Sequence, residues 1–112
     1  FILNNQYMGM VRQWQELLHE KNYSESYTAA LPDFVKLAEA YGCVGIQATK
    51  PDELDEKINE MINTKEPVIF DCRVDPAENC FPMIPSGKPH NQMLLGPEDE
   101  KEEVSDEGKT LV

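Results

Sequence analysis

The order of apolar segments dictates an α/β fold: a parallel sheet with helical crossovers, followed by an extended C-terminal arm. Short apolar runs at residues 1–3, 44–46 and 67–74 have the length and continuity of buried strands. Segments with apolar residues at helical spacing lie between them. The resulting order is strand, helix, loop, helix, strand, helix, strand, an alternation that gives parallel strands joined by crossovers. After Val74 the periodicity ends, and Pro76, Pro82, Pro85, Gly87, Pro89 and Gly96 punctuate the chain.

The first strand, Phe1-Ile2-Leu3, runs into Asn4-Asn5 at its carboxyl end. Ligands of open α/β sheets sit beyond the carboxyl ends of strands, and amide oxygens suit a hard cation such as Mg²⁺. An Asn pair is also ordinary turn chemistry. Gly9 opens the next segment, where Met10, Val11, Trp14, Leu17 and Leu18 form an apolar stripe, with Arg12, Gln13, Glu16 and Glu20 expected on the surface. Residues 21–30 read as an irregular connection. Pro32 fits the first turn of a second helix, continued by Phe34, Val35, Leu37, Ala38 and Tyr41 and stopped by Gly42. Thr49 with Asp52 comes close to a capping box. Leu54, Ile58, Met61 and Ile62 form the buried stripe of the third helix. Phe81, Met83, Ile84, Met93, Leu94 and Leu95 are too many apolar residues for a solvated tail, so the arm is expected to dock.

Composition narrows the partners. One domain at most fits 112 residues. The formal net charge of −11 argues against nucleic acid and against an anionic membrane surface. Much of the acid lies in residues 97–112, which read as a disordered tail. Cys43, Cys72 and Cys80 show no CxxC spacing and suggest reduced thiols in a cytosolic setting, the first two as core. No signal peptide or membrane span is legible.

Residues 1–14 resemble the second half of the thiamine-diphosphate motif, the NN that follows GDG in that family. Met8-Gly9-Met10-Val11-Arg12-Gln13-Trp14 narrows the resemblance to the large, catalytic subunit of acetohydroxyacid synthase (acetolactate synthase). It extends through residues 67–74 to Pro82-Met83-Ile84-Pro85-Ser86-Gly87 and fades after about Leu95. The GDG half, its Asp ligand and the family's activating Glu lie outside these residues. The resemblance therefore implies a C-terminal fragment of a longer enzyme, with no catalytic group of its own and inactive alone. Residues 1–75 would be the C-terminal half of the thiamine-diphosphate-binding domain, with a mobile active-site helix at about 9–21. Residues 76–96 would be an arm over the active site.

The implied reaction is thiamine-dependent carboligation: pyruvate loses CO₂ and is joined to a second pyruvate or to 2-ketobutyrate, in branched-chain amino-acid biosynthesis. By resemblance, Asn5 gives Mg²⁺ a side-chain oxygen and Tyr7 a backbone carbonyl, while Asn4 supports the turn. Gly9 and Met10 lie near thiamine diphosphate. Met10, Val11, Trp14, Ser86 and Gly87 line the substrate and herbicide pocket. FAD is expected mainly on the missing part. A homodimer or tetramer of full-length subunits, with a regulatory small subunit as a further candidate partner, is also implied. The compartment implied is the bacterial cytoplasm, or the plastid for a plant or alga. Two other readings stay open: another thiamine-diphosphate carboligase or decarboxylase, and a stand-alone α/β interaction module.

Overall fold

A computed structural model describes residues 1–96; the acidic tail of the sequence reading lies outside them. In chain order the elements are β1 (Ile2–Asn4), α1 (Gly9–Leu18), α2 (Phe34–Ala40), β2 (Val44–Ala48), α3 (Leu54–Asn63) and β3 (Val68–Arg73). They divide into two compact units. One comprises Phe1–Tyr7 and Thr28–Ala77; the other comprises, of the described residues, Met8–Tyr27 and 78–96.

The first unit carries the expected parallel sheet, in the order β1-β3-β2. Ile2 registers with Asp71 and Asn4 with Arg73, while Val44 registers with Val68 and Ala48 with Cys72. The central strand has no inside–outside alternation: Phe70, Asp71 and Cys72 are all buried, as in strands covered on both faces. Ile46, Ala48, Phe70 and Cys72 form the core, and Leu54, Ile58 and Met61 of α3 pack against it. Ile62, expected in that stripe, is 68% exposed. On the strand that carries Gly45, a Cβ would lie 2.8 Å from both the Cα and the carbonyl oxygen of Val35. Glycine is therefore what lets α2 approach β2.

β1 corrects the sequence reading. It was expected to be a buried strand over residues 1–3, but it runs Ile2–Asn4, and Phe1 and Leu3 are exposed. The reason is that, among the described residues, it lies at the edge of the sheet and pairs with β3 alone. Phe1 still tilts its ring against Phe70, with centroids 4.6 Å apart.

Helix ends follow short-range chemistry. Asp33, not Pro32, sets the start of α2: its Oδ1 accepts from the N–H groups of Val35 and Lys36 at 3.1 Å. Pro32 therefore lies outside the first turn. The Lys36 N–H is the main cause that holds the Asp33 carboxyl below its ordinary pKa. At the far end Gly42 has φ +72°. Its N–H donates to the Glu39 carbonyl, and the Cys43 N–H donates to that of Ala38, the paired bonds of a Schellman stop. Before α3, the N–H and hydroxyl of Thr49 donate to Glu53 rather than Asp52. A tight 3-10 turn at Pro51–Glu53 moves the acidic partner one residue along, and the Thr49 N–H lowers the Glu53 pKa.

In the second unit α1 ends at Leu18, short of the expected Lys21. Glu20 and Lys21 take left-handed φ values of 53° and 61°, which break the helical path. The arm forms one antiparallel bridge, Met83 with Leu94, through reciprocal backbone bonds of 2.9 and 2.7 Å.

Candidate functional site

The chain leaves β1 through two overlapping Asx turns. Asn4 Oδ1 accepts from the Gln6 N–H and Asn5 Oδ1 from the Tyr7 N–H, both at 3.1 Å. Asn and Asp favour such turns because their short side chains reach backbone N–H groups two residues on. Gln6, between them, has φ +62°, a left-handed conformation that a non-glycine residue holds only when its surroundings fix it. The fixing bonds are present. The N–H and hydroxyl of Thr28 both donate to the Gln6 carbonyl, at 2.9 and 2.7 Å, and the Val74 N–H donates to the Asn4 carbonyl at 3.2 Å.

Asn4 is 5% exposed, with its amide nitrogen 2.7 Å from Asp71 Oδ1. The Asp71 carboxylate, 1% exposed, also accepts from Gln47 Nε2 at 2.9 Å and pairs with Arg73 Nε at 3.3 Å. Asn5 is only half-buried. It borders a cavity of about 140 Å³ that Asn4, Gln6, Tyr7 and Phe34 also line. One Tyr7 N–H bond leaves an Asn carbonyl oxygen with a second lone pair. The amide oxygen of a half-buried Asn that lines a cavity is a donor of the kind a hard cation takes. The Asn5–Tyr7 turn therefore fits a Mg²⁺ ion, while Asn4, turned inward onto Asp71, serves the turn.

The second unit inverts the expected faces of α1. Its buried residues are Arg12 and Gln13; Met10, Val11 and Trp14 are 52%, 42% and 39% exposed. The arm explains this. Gln13 Nε2 donates to the Cys80 carbonyl at 3.0 Å, and Gln13 Oε1 accepts from the Cys80 N–H at 2.7 Å. Arg12 donates to the Glu78 carbonyl and the Asn79 side-chain oxygen, and pairs with Glu16 one turn along. The irregular arm has backbone groups that need partners, and the polar face of α1 supplies them. The apolar face is left to line an open groove of about 790 Å³ in which Met10, Val11 and Trp14 meet Leu18 and His19.

Ser86 and Gly87 form the centre of a turn, closed by the Lys88 N–H donating to the Pro85 carbonyl at 3.1 Å, with Gly87 at φ +78°. They are not in the lining of the groove. The structure thus brings Asn5 and Tyr7 together in the first unit, and Met10, Val11 and Trp14 together in the second. Sequence reasoning missed Asp71, Arg12 and Gln13. Asp71 left a trace, a carboxylate inside the apolar run of β3; the other two left none, because a helical period cannot show that a polar face will be covered.

Comparison with known proteins supplies the context. The family described as "Thiamine pyrophosphate enzyme, C-terminal TPP binding domain" matches residues 1–72. The chain is 48% identical over 95 residues to the acetolactate synthase large subunit of Cyanidium caldarium, covering 84% of this chain and 16% of that protein. It is 44% identical over 100 residues to the acetolactate synthase large subunit of Haemophilus influenzae, covering 88% and 18%. It is 41% identical over 104 residues to the mitochondrial acetolactate synthase catalytic subunit of Saccharomyces cerevisiae, covering 92% and 15%. The chain therefore spans less than a fifth of the length of these relatives. No helix among the described residues is long and apolar enough to cross a membrane. The family match takes in β1, the Asn4–Tyr7 turn and all but the last residue of β3, and the chain belongs to the thiamine pyrophosphate enzymes, as their C-terminal TPP-binding domain.

Proposed function

We propose that these residues are the C-terminal part of an acetolactate synthase catalytic subunit. The whole enzyme joins two pyruvates, or pyruvate and 2-ketobutyrate, into a 2-acetohydroxy acid with loss of CO₂, in branched-chain amino-acid biosynthesis. The observation that carries this reading is the Asn5–Tyr7 turn, in which Asn5 Oδ1 accepts from the Tyr7 N–H and both residues line a cavity at the carboxyl end of β1. The relatives' names set the reaction class.

Asn5 Oδ1 and the Tyr7 carbonyl would hold Mg²⁺, which would supply positive charge for the cofactor's diphosphate. Thiamine diphosphate, when bound, would supply the electron sink for decarboxylation. Gly9 and Met10 border the cofactor. Met10, Val11 and Trp14 form an apolar wall for the acceptor acid, and Ser86 and Gly87 contribute from the arm, where inhibitory herbicides also bind. α1 and the arm serve to exclude water, which would otherwise divert the reaction to an aldehyde. FAD is held mainly by the rest of the enzyme. The active species is a homodimer or tetramer of full subunits, acting in the bacterial cytoplasm or in the plastid of a plant or alga, with a regulatory small subunit as a further candidate partner. The 112 residues alone are inactive.

The test uses the full-length protein. It should form acetolactate from pyruvate when thiamine diphosphate, Mg²⁺ and FAD are supplied, and Asn5→Ala should weaken Mg²⁺ binding by at least the roughly 10- to 100-fold that loss of a residue behind a ligand costs. Absence of acetolactate would refute the reaction, and unchanged Mg²⁺ affinity would refute the ligand assignment.

A further inference from the structure

We infer that Asp71 is a positioning residue for the Mg²⁺ turn, acting from the central strand through Asn4. The inference rests on the reading of Asn5 and Tyr7 as the Mg²⁺ donors. Asp71 lies in β3 with 1% exposure, and its two carboxylate oxygens are divided between different strands. Oδ1 takes the Asn4 amide nitrogen of β1 at 2.7 Å; Oδ2 takes the Gln47 amide nitrogen of β2 at 2.9 Å and the Arg73 Nε at 3.3 Å. A carboxylate accepts and does not donate. It therefore fixes which end of the Asn4 amide faces inward. With nitrogen toward Asp71, the oxygen must face the turn, where it holds the Gln6 N–H at 3.1 Å.

That bond acts with the two Thr28 bonds to the Gln6 carbonyl in holding Gln6 in its left-handed conformation at φ +62°, at the start of the Asn5 turn. Loss of Asp71 removes the reason for this orientation. Asn4 can then turn its amide over, the Gln6 N–H loses its acceptor, and Asn5 Oδ1 no longer has one fixed position. A polar residue that orients a metal ligand from behind is worth about 10- to 100-fold in metal affinity. A buried carboxylate is costly to retain, which fits a role beyond packing.

The experiment titrates Mg²⁺ into the full-length protein carrying thiamine diphosphate, followed by calorimetry. Asp71→Ala and Asn4→Ala should each weaken Mg²⁺ binding about 10- to 100-fold, and the double variant should be no weaker than either single one. Gln47→Ala breaks the bond to the other carboxylate oxygen and should leave Mg²⁺ affinity unchanged. Wild-type affinity in Asp71→Ala, additive losses in the double variant, or an equal loss in Gln47→Ala would each overturn the inference. Should Asp71→Ala not fold, Asn4→Ala decides, since wild-type Mg²⁺ affinity there overturns the inference by itself. Asn5→Ala, run alongside, separates the two levels. A loss there with none in Asp71→Ala overturns this inference alone, and no loss in Asn5→Ala removes the ligand reading and this inference with it.

Discussion

Gln13 and Cys80 pair as two peptide groups would: the side-chain amide of one exchanges two hydrogen bonds, of 3.0 and 2.7 Å, with the backbone of the other. α1 has no side-chain cap at its start and no acidic residue in its first turn. The usual terminal stabilisation, worth about 1 kcal/mol for a cap, is absent. In the full-length protein Gln13→Leu should leave the Cys80 N–H without its acceptor, at a cost of about 1–3 kcal/mol. Hydrogen exchange should then show faster exchange at Cys80 and through α1 together. Unchanged protection at Cys80 would show that the arm is held by other means.

Gly45→Ala tests the approach of α2 to β2. Replacing glycine by alanine ordinarily stabilises by about 0.4–1 kcal/mol through the unfolded chain. Here the new Cβ would sit 2.8 Å from Val35 backbone atoms, which cannot swing aside as a side chain can. Overpacking of this kind costs about 1–3 kcal/mol, so the net effect should be destabilising. A lower thermal midpoint is expected, and an unchanged or higher one would mean that α2 shifts freely.

Asp33→Ala removes the N-cap of α2 and should lower the thermal midpoint near neutral pH. The Asp33 carboxyl is held below its ordinary pKa by the Lys36 N–H. The ionised cap therefore contributes fully above the unfolded pKa, and that contribution fades as pH falls through the folded value. The gap between wild type and variant should accordingly narrow in acid. A gap that stays constant with pH would assign the loss to something other than the charge.

Trp14→Leu, made in the full-length enzyme, should shift acceptor preference toward pyruvate and reduce herbicide sensitivity. One methylene against an apolar wall is discriminated by about 1–3 kcal/mol, so the product ratio in a mixture of pyruvate and 2-ketobutyrate should change by tenfold or so. Wild-type ratios and inhibition would remove Trp14 from the pocket.

The parallel sheet, the order of its elements and the Gly42 stop were legible because each is written in local pattern: continuous apolar runs, helical spacing and a glycine at a left-handed position. The faces of α1 were not. Met10, Val11 and Trp14 have the spacing of a buried stripe, yet the helix buries Arg12 and Gln13, because the backbone of the arm has more need of polar partners than of apolar cover. The same limit applied to Asp71. Its place in the sequence shows a charge in a strand, but its partners Asn4 and Gln47 come from two other strands, and only register brings them together.

That shared carboxylate also carries an order of events. Gln47 is 24 residues from Asp71 along the chain and Asn4 is 67 residues away. Closing the longer loop costs about 0.9 kcal/mol more in chain entropy. β2 and β3 should zip together first, with α3 as the short bridge between them, and β1 should add to a template already in place. In pulsed-labelling refolding the Ile2–Asn4 amides should become protected last, and protection there before β2 would contradict this sequence. The turn that carries Asn5 should then take shape only once the rest of the sheet is waiting for it.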